Sequence, residues 1–247
     1  MSQWVINGLR TGIKTTVYPR GKEHAAGVTP GLPRAGIAPS PAAAAALVDG
    51  CPTKVFSRNS EQISADSRRC IHCFRCLRDV EHPANWEQTY EWATARASDE
   101  NKFIPAFNHS IHICVVDTGD CGACLNEVRQ LNNPYYNIHR LGFFVTPSPR
   151  HADVLLVVGT VTDHMRIPLQ KIYDAMPTPK RVLAVGACAL TGGIFADSFV
   201  SAKGLADILP VDVEVPGNPP PPLAILHGLL VAVGRKSAVV ENSTRPS

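Results

Sequence analysis

The residues best suited to chemistry in this 247-residue chain are its 8 cysteines. Cysteine thiolates bind metals and carry out redox reactions. Cys70, Cys73 and Cys76 follow one another with two residues between each pair. A loop this short can point each sulfur at a different iron, so the spacing predicts an iron–sulfur cluster. Zinc is the alternative, but zinc sites favour paired ligands over a triple of this kind.

The fourth ligand of this cluster is expected upstream of the run. Bacterial ferredoxins place it after three further residues, and it binds the other of two clusters. Val80 occupies that position here, whereas Cys51 stands alone before Pro52. A two-cluster ferredoxin that has lost one cluster would keep this arrangement. The prediction is a small, degenerate ferredoxin-like segment whose single 4Fe–4S cluster is held by Cys51, Cys70, Cys73 and Cys76.

A second group of cysteines lies in the other half of the sequence. Cys121 and Cys124 follow an apolar run across a glycine loop, and Cys188 stands in a glycine-rich loop after another apolar run. A Cys-x-x-Cys pair at a helix start could carry out thiol–disulfide exchange. The third cysteine in a matching loop argues against that reading.

The elements that must position these cysteines alternate between strands and helices. Continuous apolar runs predict three buried parallel strands, at 111–116, 154–158 and 182–185. Helical segments are predicted at 124–132, 164–175 and 223–234. The alternation indicates an α/β domain, whose ligands gather at the carboxyl ends of the parallel strands. Cys121, Cys124 and Cys188 are therefore expected along one edge of the sheet.

The remaining elements are expected to be short. Residues 21–45 predict either a loop that wraps a surface or a degraded element. Residues 55–64 predict a short hairpin, and residues 86–97 predict a helix within a linker. The first segment predicts an amphipathic helix, which could lie on a membrane surface or pack on a partner protein. Its apolar and basic residues are Trp4, Val5, Ile6, Leu9, Ile13, Arg10, Lys14 and Arg20.

Composition and charge narrow the class of protein. A net charge of +3 argues against nucleic-acid binding, which needs a clustered basic face. The N-terminal residues lack the pattern of a secretory or twin-arginine signal, and the longest apolar run, 223–234, is shorter than the about 20 residues that span a bilayer. We therefore expect a cytoplasmic location, where structural disulfides are rare and clustered cysteines bind metals or catalyse.

The sheet half of the chain resembles a known family. Residues 107–235 are similar to the small, cluster-carrying subunit of energy-converting membrane-bound nickel–iron hydrogenases, a relative of the 20-kDa subunit of complex I. The resembling stretches are DTGDCGACLNE, PRHADVLLVVGTVT, AMPTPKRVLAVGACALTGGIF and VPGNPPPPLAILHGLL. The resemblance implies a flavodoxin-like parallel sheet.

The N-terminal part resembles the ferredoxin-like subunit of the same complexes, which begins with a membrane-surface helix. This resemblance rests on WVINGLRTGIKTTVYPRG, so the chain is similar to a fusion of two subunits. The implied organisation is a surface helix and arm at 1–45, a single-cluster segment at 46–80, a linker at 81–106, the small-subunit-like domain at 107–235, and a tail at 236–247.

The family's proximal cluster takes four cysteines, and the resemblance assigns three of them to Cys121, Cys124 and Cys188. The fourth belongs to a Pro-Gly-Cys-Pro-Pro motif, where this chain has Asn218. Asparagine is a weak, neutral oxygen ligand for iron. Four outcomes follow: a cluster with Asn218 or water on one iron, a 3Fe–4S cluster, recruitment of Cys114, or no cluster. We favour a modified cluster and expect Cys114, inside a predicted strand, in the core.

Glu127 matches an acidic position of the family that borders the active site of the large subunit. The resemblance makes it a candidate proton relay; the alternative is a glutamate stabilised by the dipole at a helix N-terminus. Three histidines show no partner in the sequence and are expected to be structural: His72, His112 and His227.

The implied function is an electron-transfer iron–sulfur subunit. It would relay electrons between the N-terminal 4Fe–4S cluster and a proximal 4Fe–4S or 3Fe–4S cluster beside the large subunit of a membrane-bound, hydrogenase-like and complex I-related complex. The sequence shows no nickel site, flavin fingerprint or nucleotide loop, and so no complete active site.

The resemblance also implies the partners and location: the large subunit, membrane ion-translocating subunits and further ferredoxin-like or electron-donor subunits, on the cytoplasmic side of the membrane. One alternative is a structural scaffold whose proximal cluster is altered or lost. Another is a thiol–disulfide enzyme that uses Cys121 and Cys124.

Overall fold

Short elements make up the N-terminal part of the fold. The computed structural model describes residues 2–24, 27–34, 36–37, 40–59, 62–78, 84–95, 109–195 and 198–239. The first elements are α1 (Gln3–Thr11), β1 (Leu32–Pro33), β2 (Gly36–Ile37), α2 (Pro41–Gly50), β3 (Phe56–Asn59) and β4 (Gln62–Ala65). Strands β2, β4 and β3 form a small antiparallel sheet, so the hairpin predicted at 55–64 is confirmed.

Helix α2 places Cys51 directly after its last residue. The Ser40 hydroxyl accepts a hydrogen bond from the Ala43 backbone N–H at 3.1 Å, and Pro41 occupies the first turn, where it needs no hydrogen bond. A run of alanines continues the helix. The 3-10 helix Ser67–Arg69 directly precedes Cys70, and α3 (Arg75–Arg78) contains Cys76. Cys73 lies between the two helices.

The helix predicted at 86–97 is wrong for the residues described there. The chain instead forms β5 (Trp86–Glu87), which pairs with β1, and β6 (Thr94–Ala95), which joins the main sheet. Trp92 and Ala93 between them are almost completely buried, so tertiary packing overrides the local helical preference. Residues 81–83 and 96–106 of the predicted linker and residues 240–247 of the predicted tail lie outside the described residues.

The main sheet carries the second group of cysteines. Its parallel strands are β7 (Ile111–Asp117), β8 (Phe143–Val145), β9 (Val154–Val158), β10 (Arg181–Val185) and β11 (Val213–Val215). They run in the spatial order β8-β7-β9-β10-β11, and β6 adds an antiparallel edge strand beside β11. This is the doubly wound, flavodoxin-like order, and it confirms the predicted α/β class.

Helices cover both faces of this sheet. They are α4 (Ala123–Gln130), α5 (Asp163–Ala175), α6 (Ala187–Thr191) and α7 (Pro222–Ala232). The three helices predicted for this half are therefore confirmed, with ends that differ by at most two residues. Every residue of β9 is buried, as expected for a central parallel strand, and α7 is buried along its whole length.

None of the residues of helix α1 is buried. Trp4 is 75% exposed and Leu9 is 74% exposed, and Ile13 beyond the helix is more exposed still. Within the described part of the chain, no helix is long and apolar enough to cross a membrane.

Candidate iron–sulfur sites

The four cysteines predicted to bind the N-terminal cluster line one cavity. Cys51 follows α2, Cys70 ends the 3-10 helix, Cys73 lies in the next loop and Cys76 lies in α3. The cavity is partly open to solvent. Its other lining residues include Phe56, Phe74 and Trp86. The tertiary fold thus brings Cys51 to the Cys70–Cys76 run, although about 20 residues of chain separate them.

The backbone around these cysteines is held in an uncommon conformation. His72 and Phe74 have φ angles of 51° and 58°, a left-handed region that costs energy for residues other than glycine. Val55 donates its backbone N–H to the Cys51 sulfur at 3.3 Å, and the His72 N–H acts on Cys70. Such N–H groups stabilise thiolates bound to a cluster.

Burial makes two of these thiols, those of Cys70 and Cys76, reluctant to ionise on their own. It raises the pKa of Cys70 to about 12, against a smaller opposing effect of the His72 N–H, and the thiols of Cys76, Cys51 and Cys73 raise it further. Burial also raises the pKa of Cys76, with the Trp86 indole acting in the opposite direction. Thiolates packed this closely would need a cationic centre among them, which the iron of a cluster would supply.

The second group of cysteines meets at the carboxyl ends of the parallel strands, as predicted. Cys121 is exposed in the loop after β7, Cys124 is buried in the first turn of α4, and Cys188 is half-buried in α6. Glycines leave room for their sulfurs: a Cβ on Gly186 would lie 2.5 Å from the Cys124 Sγ, and one on Gly193 would lie 2.9 Å from the Cys188 Sγ.

Carboxylates shape the loop that carries the first two of these thiols. One Asp117 oxygen accepts the backbone N–H groups of Gly119 and Asp120, and one Asp120 oxygen accepts those of Gly122 and Leu125. Burial is the main reason why the pKa of Cys124 is well above its usual value, followed by Asp120 and then by the thiols of Cys188 and Cys121. The Cys188 and Cys121 thiols are therefore close enough to Cys124 to raise its pKa.

The loop that carries Asn218 lies against this group. The Gly217 carbonyl accepts the backbone N–H of Ala187, the residue before Cys188, at 2.8 Å. The backbone N–H of Asn218 donates to Nδ1 of His72 at 3.2 Å. Asn218 is thus placed between the second cysteine group and the loop of the first. Cys114 belongs instead to the apolar core that includes Leu155 and Leu169, whereas Cys124 belongs to the core on the α7 side.

Three buried polar atoms at these sites have no conventional hydrogen bond to the described protein. They are Nε1 of Trp86, Nε2 of His72 and the Thr160 hydroxyl. Trp86 lines the first cavity, and the Thr160 hydroxyl faces Cys188, whose pKa is raised by burial and lowered by this hydroxyl. The Trp86 and Thr160 donors face the sulfurs of Cys76 and Cys188, the arrangement expected of donors beside thiolates that hold a cluster. The residues present therefore fit iron–sulfur centres.

No group of three or more His, Cys, Asp or Glu side chains in the described ranges converges tightly enough to hold a single metal ion. A cluster does not require such convergence, because each thiolate binds a different iron at a different corner.

The other candidate residues take the following places. Glu127 is half-buried on α4, and burial raises the pKa of its carboxyl group, which favours the protonated form. Nδ1 of His112 lies 3.7 Å from the Asp153 carboxylate, and His227 accepts the backbone N–H of Ala93 at 3.1 Å. Sequence reasoning missed Trp86, Thr160 and the contact of His72, since nothing in their local pattern marks them.

Substitution of Gly186 by alanine is expected to disrupt the second site. The new Cβ would displace the Cys124 sulfur, and the backbone, at φ +92°, would add about 1–2 kcal/mol of strain. We expect less bound iron per chain and a lower free energy of unfolding in urea. Gly234→Ala is the matched control, because Gly234 has φ +73° and open space around it. It should lose stability and keep its iron, and unchanged iron in Gly186→Ala would contradict this placement of Cys124.

Comparison with known proteins gives matches to the sheet half. The family model described as the 20 kDa subunit of NADH ubiquinone oxidoreductase matches residues 121–232. An uncharacterised protein of Methanocaldococcus jannaschii is 45% identical over 132 residues, which are 53% of this chain and 88% of that protein.

Two further relatives have descriptive names. Formate hydrogenlyase subunit 7 of Escherichia coli is 40% identical over 138 residues, 56% of this chain and 54% of that protein. A "probable membrane-bound hydrogenase subunit" of Pyrococcus furiosus is 40% identical over 131 residues, 53% of this chain and 78% of that protein.

Solved structures also match about half of the chain. A chain of the membrane-bound sulfane sulfur reductase, an archaeal respiratory membrane complex, is 31% identical, with a TM-score of 0.47 and coverage of 54% of this chain and 76% of that one. A chain of an NAD+-reducing [NiFe]-hydrogenase is 19% identical, with a TM-score of 0.42 and coverage of 55% and 98%.

Proposed function

Because this chain belongs to the family of the 20 kDa subunit of NADH ubiquinone oxidoreductase, we propose that it is an electron-transfer iron–sulfur subunit of a hydrogenase-related membrane complex. The observation that carries the proposal is the adjacency of two cysteine sites in one chain. The hydrogen bond from the Asn218 backbone N–H to His72 joins the loop of one site to the loop of the other. Electron transfer between two centres requires this closeness.

The first centre is a 4Fe–4S cluster held by Cys51, Cys70, Cys73 and Cys76. Its support is the shared cavity, the left-handed loop residues between the ligands and the buried indole N–H of Trp86, which faces the Cys76 thiol. When bound, such a cluster supplies one-electron redox chemistry. The protein holds the four thiolates, supplies N–H donors to their sulfurs and shields the site with aromatic side chains.

The second centre is a modified proximal cluster held by Cys121, Cys124 and Cys188, with Asn218 where the family's fourth thiolate stands. Its support is the proximity of the three thiols and the room left by Gly186 and Gly193. One iron then has a weak oxygen ligand or none, and the cluster is of the 4Fe–4S or 3Fe–4S type. Glu127, whose burial favours the protonated form, is the proposed proton-relay residue on α4.

The complex is proposed from the names of the relatives. Formate hydrogenlyase and membrane-bound hydrogenase subunits suggest a large subunit and membrane ion-translocating subunits as partners, with further electron-donor subunits. The N-terminal part corresponds in this proposal to a fused ferredoxin-like subunit. The alternative is a structural scaffold that holds these partners together with only the first centre intact.

Counting iron in the anaerobically purified protein separates the two functions. The two-centre subunit should hold about seven or eight iron atoms per chain, and the scaffold about four. Electron paramagnetic resonance (EPR) of the reduced and oxidised protein should show two distinct centres. A protein with no iron and no broad visible absorption would refute both.

Helix α1 is proposed to lie on the membrane surface. Its exposed apolar residues and nearby basic residues match an interfacial helix. Replacement of Trp4 and Leu9 by aspartate should reduce binding to anionic phospholipid vesicles by at least about tenfold, since each large apolar side chain contributes about 1.5–3 kcal/mol on burial. Co-sedimentation at several salt concentrations measures this.

The matched control for α1 is Ile167→Asp, which changes an exposed apolar residue on the sheet domain. This variant should bind vesicles as the natural protein does. Absence of vesicle binding by the natural protein would refute the membrane proposal and favour packing of α1 on a partner protein.

A further inference from the structure

A short seam joins the first cysteine loop to the end of the main sheet. It has two polar contacts: the Asn218 N–H donates to Nδ1 of His72 at 3.2 Å, and Arg68 lies 3.9 Å from the carboxylate of Glu214. Glu214 is only 5% exposed, although it lies on β11 near an edge of the sheet. Both contacts link residues 68–72 with residues 214–218, immediately before and within the loop that lacks the fourth cysteine.

The His72 ring contacts both sites. On one side it lies near Phe74, with ring centroids 6.0 Å apart and planes 14° apart, and near Trp86, with centroids 5.9 Å apart. Phe74 and Trp86 both line the first cavity. Through Nδ1, the same ring holds the Asn218 backbone. The imidazole therefore occupies the space between the first cavity and the Asn218 loop.

The hydrogen bond determines which proton the imidazole carries. Nδ1 accepts from Asn218, so in the neutral ring Nε2 carries the hydrogen and is a donor. A nitrogen that binds iron must offer a free lone pair, and neither nitrogen has one in this arrangement. His72 is thus not a substitute for the missing thiolate. Its Nε2–H is buried beside the Gly31 backbone.

We propose that His72 is a positioning residue that sets the distance and the electronic coupling between the two iron–sulfur centres, by tying the Asn218 loop to the first cysteine loop. This inference rests on the proposed two-centre function. It assigns to His72 a role beyond the structural one expected from the sequence. The backbone N–H, rather than the asparagine side chain, is the group that His72 recognises.

Two substitutions test the role of the ring nitrogen. His72→Leu removes the acceptor, whereas His72→Asn places an amide oxygen near the position of Nδ1 and tolerates the left-handed backbone of residue 72. His72→Asn is therefore the rescue variant. His112→Leu is the matched control, because His112 lies at the start of β7 and pairs with Asp153.

The first measurement is EPR of the fully reduced holoprotein. In His72→Leu the iron content and the signal of each separate centre should persist, while the spin–spin interaction between the centres weakens. His72→Asn and His112→Leu should keep the interaction of the natural protein. An unchanged interaction in His72→Leu, with both centres intact, would overturn the proposal. If the natural protein holds only about four irons, the two-centre function fails, and the coupling role fails with it.

The second measurement tests the seam itself, with or without clusters. Residues 216, 219, 220, 221 and 222 are prolines and have no amide N–H, so hydrogen exchange in this stretch reports Gly217 and Asn218 alone. His72→Leu should accelerate exchange at Asn218 about tenfold, and His72→Asn should restore protection. Equal exchange in His72→Leu and in the natural protein would show that His72 does not hold this loop. Faster exchange without a change in spin–spin interaction would leave His72 a structural contact and overturn the coupling role.

Discussion

Substitution of Cys70 by serine is expected to remove the whole N-terminal centre, with a loss of about four iron atoms per chain. Among the four proposed ligands, Cys70 is the most deeply buried. A serine hydroxyl is a poor ligand for iron compared with a thiolate, and burial raises the pKa of the neighbouring Cys76 thiol. Electron transfer through the chain should then fall to background.

The measurement is iron per chain together with the EPR spectrum. In Cys70→Ser the signal of the second centre should remain, because Cys121, Cys124 and Cys188 are untouched. Cys114→Ala is the control: Cys114 is a buried cysteine packed in the core, so this variant should lose some stability and no iron. Loss of iron in Cys114→Ala, or retention of all iron in Cys70→Ser, would contradict the proposed ligand set.

Substitution of Asn218 by cysteine is expected to convert the second centre into a four-thiolate cluster. Iron should rise to about eight per chain, and the EPR spectrum of this centre should change, because the fourth iron gains a strong anionic ligand. The added negative charge stabilises the oxidised state, so the reduction potential of the centre should fall. The bound iron should also resist chelators better than in the natural protein.

Asn218→Ala tests whether the asparagine side chain itself binds iron. If Asn218 binds iron weakly, this variant should lose iron to chelators faster than the natural protein. In both variants the backbone N–H that bonds to His72 is kept, so the seam should stay closed. Identical EPR spectra for Asn218→Cys and the natural protein would refute a special role for position 218 and would favour the scaffold function.

Local patterns predicted the main sheet and its helices well, because strands such as Val154–Val158 are apolar at every position and lie between helical segments. The same reasoning failed at 86–97. Trp86 and Trp92 lie in the segment expected to be helical, but long-range contacts hold them in other conformations. Trp86 lies in β5 at the first cavity, and Trp92 donates its indole N–H to the Pro216 carbonyl at 2.8 Å. Contacts between residues this far apart in the sequence produce no periodic pattern in the local sequence.

The sequence by itself determined the donor chemistry of the protein: three thiols at cluster spacing, a lone upstream cysteine, a second set of three, and an asparagine where the family has a thiolate. Residue types and short spacings are fixed by the covalent chain, so they are known without the fold. Only the tertiary structure decided that Trp86 lines the cavity of Cys51 and Cys70, and that His72 meets Asn218. These contacts depend on how the sheet and the loops pack together. That packing is determined by the burial of side chains along the whole chain.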